Sequence, residues 1–138
     1  MDTKPPIYIV TGGTGASGEQ LVRTALAQFE DTTTDVIRVP HVKRVEQLEQ
    51  IITRTIESGG LIVHTLVDAN LRSALNELAQ ARNVVAIDLM GPLLFRLTSL
   101  LGEKPLGKPG LYRQLREDYF RRIEAIEFTV DHDDGRKP

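Results

Sequence analysis

Ile7-Tyr8-Ile9-Val10-Thr11-Gly12-Gly13-Thr14-Gly15-Ala16-Ser17-Gly18 decides the fold. Four apolar or aromatic residues run directly into a loop holding four glycines, and a helix-forming stretch follows at once. Residues 13–18 spell G-x-G-x-x-G where a first strand meets a first helix. That arrangement carries a phosphate to a helix N-terminus in α/β folds. Glycines permit positive φ and close backbone approach, so successive N–H groups can face an anion. Thr11, Thr14 and Ser17 add hydroxyl groups to the same concavity. Thr11, Gly12, Gly13, Thr14, Gly15 and Ser17 are therefore the expected phosphate- or nucleotide-binding residues. The alternative is a tight strand–helix turn that binds nothing.

Outward from this loop, short apolar runs alternate with helical spacing. Glu19–Phe29 places Val22, Ala25, Leu26 and Phe29 on one helical face, and Asp35–Val39 reads as a second strand. Val45, Leu48, Ile52 and Ile56 recur at the helix period over Val45–Ile56. Ser58-Gly59-Gly60 stops that helix before a third strand at Leu61–His64. Asn70–Ala81 is a third helix with Leu71, Leu75 and Leu78 inward; Val84–Ile87 is a fourth strand and Pro92–Leu101 a fourth helix. Strands alternating with helices imply βαβ units and a parallel sheet, and continuous apolar strands imply helices on both faces. The expected fold is a doubly wound, Rossmann-like α/β domain with four parallel strands over residues 1–101.

Beyond residue 101 the pattern breaks. Two prolines and three glycines punctuate Gly102–Gly110, which excludes a helix or a central strand and predicts an extended connector. Glu117–Val130 resumes helical spacing with Tyr119, Ile123, Ile126 and Val130 on one face. Residues 102–138 are thus expected to form a connector and a terminal helix leading towards a further domain. Lys104 and Lys108 leave open whether the connector is also a docking arm.

Composition narrows the class. No apolar run in the 138 residues approaches the ~20 that a membrane span needs. A net charge of −2 offers no electrostatic footprint for nucleic acid or an anionic membrane. The chain has no cysteine, which excludes disulfides, thiolate catalysis and Cys-ligated zinc. The first six residues lack the apolar stretch of a signal peptide, so a cytoplasmic protein is expected.

A dinucleotide site asks for more than the glycine loop. NAD wants an acidic residue at the end of the second strand to hold the ribose. Here that strand reads Val36-Ile37-Arg38-Val39-Pro40, so Arg38 suits only a 2′-phosphate, as in NADP. Thr11–Gly18 also looks like the loop of extended short-chain dehydrogenases, but no tyrosine has a lysine four residues on. An active dehydrogenase is not expected, while a noncatalytic NADP- or nucleotide-binding module stays open.

The ends of the other strands supply polar clusters: Pro40–Arg44, His64–Asp68 and Asp88–Pro92. On the expected topology they share one sheet edge with the glycine loop. His41, Lys43, Arg44, His64, Thr65, Asp68, Arg72 and Asp88 are candidates for a common crevice. Each has a purely structural alternative, Asp68 as a helix cap and His64 as a satisfied rim histidine among them. No metal is assigned; Asp131-His132-Asp133-Asp134 carries ligand chemistry but reads as a solvated terminus.

Ile7–Gly15, Ala25–Phe29, His64–Asp68 with Leu71-Arg72, and Asp88–Leu93 together resemble the regulators of phosphoenolpyruvate synthetase and pyruvate, phosphate dikinase. The strongest likeness is Pro109-Gly110-Leu111 followed by Asp118–Phe128 and His132–Gly135. The resemblance implies a bifunctional regulator of one of those two enzymes. Such a protein uses ADP to phosphorylate a threonine of its target, and removes that group with inorganic phosphate, releasing pyrophosphate. The implied ligands are ADP and inorganic phosphate, with no covalently bound cofactor. Two departures qualify the expectation. The family loop usually carries Ser-Asp where this chain has Thr11-Gly12, and members continue into a second half with a Gly-x-Ser-Arg-x-x-Lys-Thr motif that these residues do not contain. The chain is then expected to be the amino-terminal domain, as a fragment or from a truncated gene, without kinase activity by itself and with homo-oligomerisation open. A pure interaction or dimerisation domain with an empty glycine loop is the third reading.

Overall fold

The computed structural model of the chain describes residues 4–31, 33–112, 114 and 115. The helix expected over 117–130 and the acidic stretch 131–134 lie outside the described residues. The elements run β1 (Ile7–Val10), α1 (Ala16–Leu26), β2 (Val36–Val39), α2 (Val45–Ser58), β3 (Leu61–His64), α3 (Ala69–Ala81), β4 (Ala86–Asp88) and α4 (Gly91–Leu101).

All strand pairs are parallel and the spatial order is β2-β1-β3-β4. Right-handed crossovers turn one way from β1 to β2 and the other way from β2 to β3 and β4. That reversal puts α1 on one face and α2 and α3 on the other. Tyr8, Val10 and Ile62 accordingly pack with Leu48, Ile51 and Ile52 of α2 and Leu75 and Ala79 of α3. On the opposite face Ile9 and Val63 pack with Val22 of α1. Burial on both faces explains why the strands are continuous apolar runs. The doubly wound, Rossmann-like α/β expectation is met, and its switch point lies between β1 and β3.

Element ends depart from expectation for local reasons. α1 begins three residues early because Gly15, at φ +91°, starts the turn and its carbonyl takes the Glu19 N–H at 3.0 Å. The helix stops at Leu26, so Phe29 and Ala25 face solvent and only Val22 and Leu26 of the expected face turn inward. In α2 the buried stripe is Leu48, Ile51, Ile52 and Thr55, while Val45 and Ile56 sit at its exposed margins. β4 starts two residues late because Val84 completes the end of α3. Asn83 takes φ +59°, and the Val84 N–H reaches back to the Ala79 carbonyl at 2.8 Å, the Schellman arrangement.

α4 differs from the other helices. Pro92 stands in its first turn and Gly102 caps its end, but none of its residues is buried. Leu93, Phe95, Leu97, Leu100 and Leu101 are exposed, and Leu106 continues the row into the connector. Among the described residues no helix is long and apolar enough to cross a membrane.

Candidate functional site

The glycine loop leaves the C-terminal end of β1 at the switch point, where open α/β sheets place their ligands. Its conformation is fixed from inside and from the neighbouring loop. The Gly13 N–H donates to Thr11 Oγ1 at 3.2 Å, and the Ala16 N–H to Thr14 Oγ1 at 3.3 Å. From the β2–α2 loop, the His41 and Val42 N–H groups donate to the Gly13 and Thr11 carbonyls, each at 3.0 Å. His41 adopts φ +58° to do so, a conformation uncommon for a residue with a side chain. The N–H groups of Gly12, Thr14, Gly15, Ser17 and Gly18 have no acceptor among the described residues. Five backbone donors at the positive end of an 11-residue helix form the kind of cradle that accepts an anion.

The threonines act differently from Ser17. Thr11 is buried and Thr14 exposed, and each hydroxyl oxygen already accepts a loop N–H, leaving its own proton to donate outward. Ser17 is exposed on the first turn of α1. Gly18 is needed for packing: a β-carbon there would lie 2.7 Å from Ile9 Cγ2.

Two side chains cover the ends of the loop. Arg38 Cδ would stand 3.1 Å from a β-carbon on Gly15, and its Nη1 donates to the Thr14 carbonyl at 3.3 Å. Its Nε pairs with Glu19, which also accepts from Arg23 Nε at 2.8 Å. The bonds from Arg23 and Arg38 hold the Glu19 carboxyl below its ordinary value. At the other end, Pro109 Cβ and Cγ would each stand 3.2 Å from a β-carbon on Gly12.

The remaining candidates separate into two groups. His41, Lys43 and Arg44 are exposed beside the glycine loop, and Gln47 Oε1 takes the Lys43 and Arg44 N–H groups at 2.7 and 3.0 Å. Thr65 joins this group, its N–H donating to the Val10 carbonyl and its methyl standing near Gly18. His64, Asp68, Arg72 and Asp88 lie towards β3 and β4. Asp68 caps α3 by accepting the Leu71 N–H at 3.0 Å, and Arg72 Nη1 donates to the Leu66 carbonyl at 3.0 Å. Asp88 Oδ1 accepts the Met90 and Gly91 N–H groups at 3.0 and 2.7 Å, fixing the turn into α4.

His64 is wholly buried and turned towards α3, where its Nε2 lies 2.9 Å from Asn76 Oδ1. The Asn76 amide nitrogen donates to Asp88 Oδ2 at 3.1 Å. Asn76 therefore presents oxygen to the imidazole, which places the proton on Nε2 and leaves Nδ1 without a partner among the described residues. Burial pushes the His64 imidazole down, against the opposing pull of Asn76 and Asp88. Burial pushes Asp88 up, but the Gly91 N–H, the Asn76 amide, the Met90 N–H and His64 together carry its carboxyl below the ordinary value. Nothing in the sequence singles out Asn76; a lone amide inside a helix acquires its role only when β3 and β4 pair. Among the described residues no group of three or more His, Asp or Glu stands together to hold a metal.

The profile of the kinase/pyrophosphorylase family matches residues 7–138. A protein of Chloroflexus aurantiacus named as a pyruvate, phosphate dikinase regulatory protein is 48% identical over 99% of this chain and 49% of its own length. A Listeria welshimeri protein named as a pyruvate, phosphate dikinase regulatory protein 1 is 43% identical over 99% and 50%. One from Geobacter sulfurreducens, named like the first, is 39% identical over 96% and 49%. The chain spans about half the length of the curated relatives it matches. With the profile covering nearly every residue, this chain belongs to the kinase/pyrophosphorylase family.

Proposed function

We propose that this chain supplies the phosphate- and nucleotide-binding half of a regulator of pyruvate, phosphate dikinase or phosphoenolpyruvate synthetase. The observation that carries the site reading is the cradle of five unengaged N–H groups over Gly12–Gly18 at the sheet's switch point. The target is inferred from relatives named for regulating pyruvate, phosphate dikinase. In the complete reaction ADP donates a phosphoryl group to a target threonine, and inorganic phosphate later removes it as pyrophosphate. Charge neutralisation and positioning dominate such transfers, and a backbone cradle contributes both without a nucleophile of its own. These residues do not contain the Gly-x-Ser-Arg-x-x-Lys-Thr motif of the family's second half, so this half alone is expected to bind without transferring. The cysteine-free chain suits a reducing cytoplasm, the compartment proposed for it.

A second reading rests on Arg38. It stands at the end of β2, beside the loop, where an NADP-binding module places the partner of the 2′-phosphate. Thermal-shift titrations with ADP, inorganic phosphate, pyrophosphate and NADPH separate the two. Stabilisation by ADP or pyrophosphate supports the regulator; a response to NADPH alone replaces it with the second reading. A ligand at a hundredfold excess over its dissociation constant stabilises the native state by about 2.7 kcal/mol.

A further inference from the structure

We propose that residues 103–110 form a strap that seats on Gly12 at one end of the glycine loop and is displaced when a nucleotide occupies the loop. The inference rests on the reading of that loop as a nucleotide site and names a device that controls it. The chain leaves α4 at Gly102 and returns across the C-terminal edge of the sheet. Gly107 passes the β3–α3 loop, where a β-carbon would lie 3.6 Å from the Val67 carbonyl oxygen. Two residues later Pro109 sits on Gly12. The strap thus touches the loops that follow β3 and β1, the two strands that frame the switch point. Beneath it a cavity of about 540 Å³ is walled by Pro105, Leu106 and Gly107 on one side and by Asp68, Arg72 and Phe95 among others on the rest.

Its build suits movement. Among the described residues no hydrogen bond joins 103–109 to the body of the domain, so lifting the strap breaks packing contacts alone. Gly102, Gly107 and Gly110 have φ of +69°, +71° and +86°, while Pro105 and Pro109 stiffen the pieces between them. Stiff segments between glycine hinges move as plates. Gly12 is the latch: only the missing side chain lets the proline ring approach so closely.

The test uses the full chain with Gly12→Cys and Pro109→Cys together. Without native cysteines, a single intramolecular disulfide is available. The separation of 3.2 Å from a β-carbon on Gly12 to Pro109 Cβ needs little relaxation to reach the ~3.5–4.5 Å of a disulfide. Oxidation of the folded variant is expected to give the intramolecular crosslink, read by mass spectrometry; failure to crosslink overturns the seating of the strap. ADP is expected to raise the thermal midpoint of the wild type; the reduced variant, altered at Gly12 of the cradle, serves only as the reference for its own oxidised form. The oxidised variant should bind ADP at least tenfold more weakly and recover on reduction. Equal ADP binding in both redox states overturns the displacement. If the wild type does not respond to ADP, the nucleotide reading of the loop fails; in that case, and where the wild type responds but the reduced variant does not, the strap is read without ligand. Amide exchange over residues 12–18 then decides the strap by itself: slower exchange when oxidised supports lifting, and equal exchange refutes it.

Discussion

His64 Nε2 and Asn76 Oδ1 meet at 2.9 Å in a site from which solvent is excluded at the histidine. The contact ties β3 to α3, and Asn76 passes it on to Asp88 at the end of β4. Replacing Asn76 by leucine keeps the volume but leaves a buried N–H donor and one carboxylate oxygen with fewer partners. The orphaned buried N–H costs about 1–3 kcal/mol, while the Asp88 oxygen is partly exposed and can turn to water. Urea unfolding of Asn76→Leu should show a loss in that range.

The same histidine sets a pH dependence. Its folded pKa is depressed by burial, so the unfolded chain takes up a proton first, near pH 6.5. Stability from this group is complete above that value and declines as pH falls through it towards the lower folded pKa. Unfolding free energies at pH 7.5, 6.5 and 5.5 should fall in that order. His64→Leu should flatten the slope across this window, whatever it does to absolute stability.

Gly15→Ala tests the loop conformation. At φ +91° a side chain is strained, and the new methyl would stand 3.1 Å from Arg38 Cδ. A left-handed non-glycine residue costs roughly 1–2 kcal/mol. The variant should lose about that much stability, and any stabilisation by ADP or pyrophosphate should fall with it. Unchanged stability would mean the loop does not hold this geometry in solution.

How much of this was legible beforehand varied with the type of signal. β1 and β3 fell where the apolar runs placed them, because both are buried on two faces and Gly59 and Gly60 mark the entry to β3. β4 was misplaced because Val84 looks like a strand residue but closes a helix. The early start of α1 was hidden, since a glycine in a left-handed turn carries none of the side-chain chemistry of an N-cap. The place of the glycine loop between β1 and α1 could be read from spacing alone. The grouping of His64 with Asp88 through Asn76 depends on strand pairing, and the seating of Pro109 on Gly12 depends on a connector without periodicity. Neither leaves a mark in the sequence.

The contrast between α3 and α4 gives a further expectation. Leu75→Ala empties a fully buried site and should cost about 2–5 kcal/mol. Leu100, 75% exposed, contributes little to this chain's core, and Leu100→Ser should stay within about 0.5 kcal/mol of wild type. Chemical denaturation of the two variants side by side checks it. A large loss for Leu100→Ser would place α4 inside a packed interface.

The N–H groups of Gly12, Thr14, Gly15, Ser17 and Gly18 are proposed to receive a phosphate. Amide NMR of the labelled chain titrated with ADP measures this at the atoms concerned. A phosphate seated there should give saturable shifts concentrated on residues 11–18, with smaller ones at Pro109's neighbours. An unperturbed glycine loop, or shifts centred elsewhere, would contradict it.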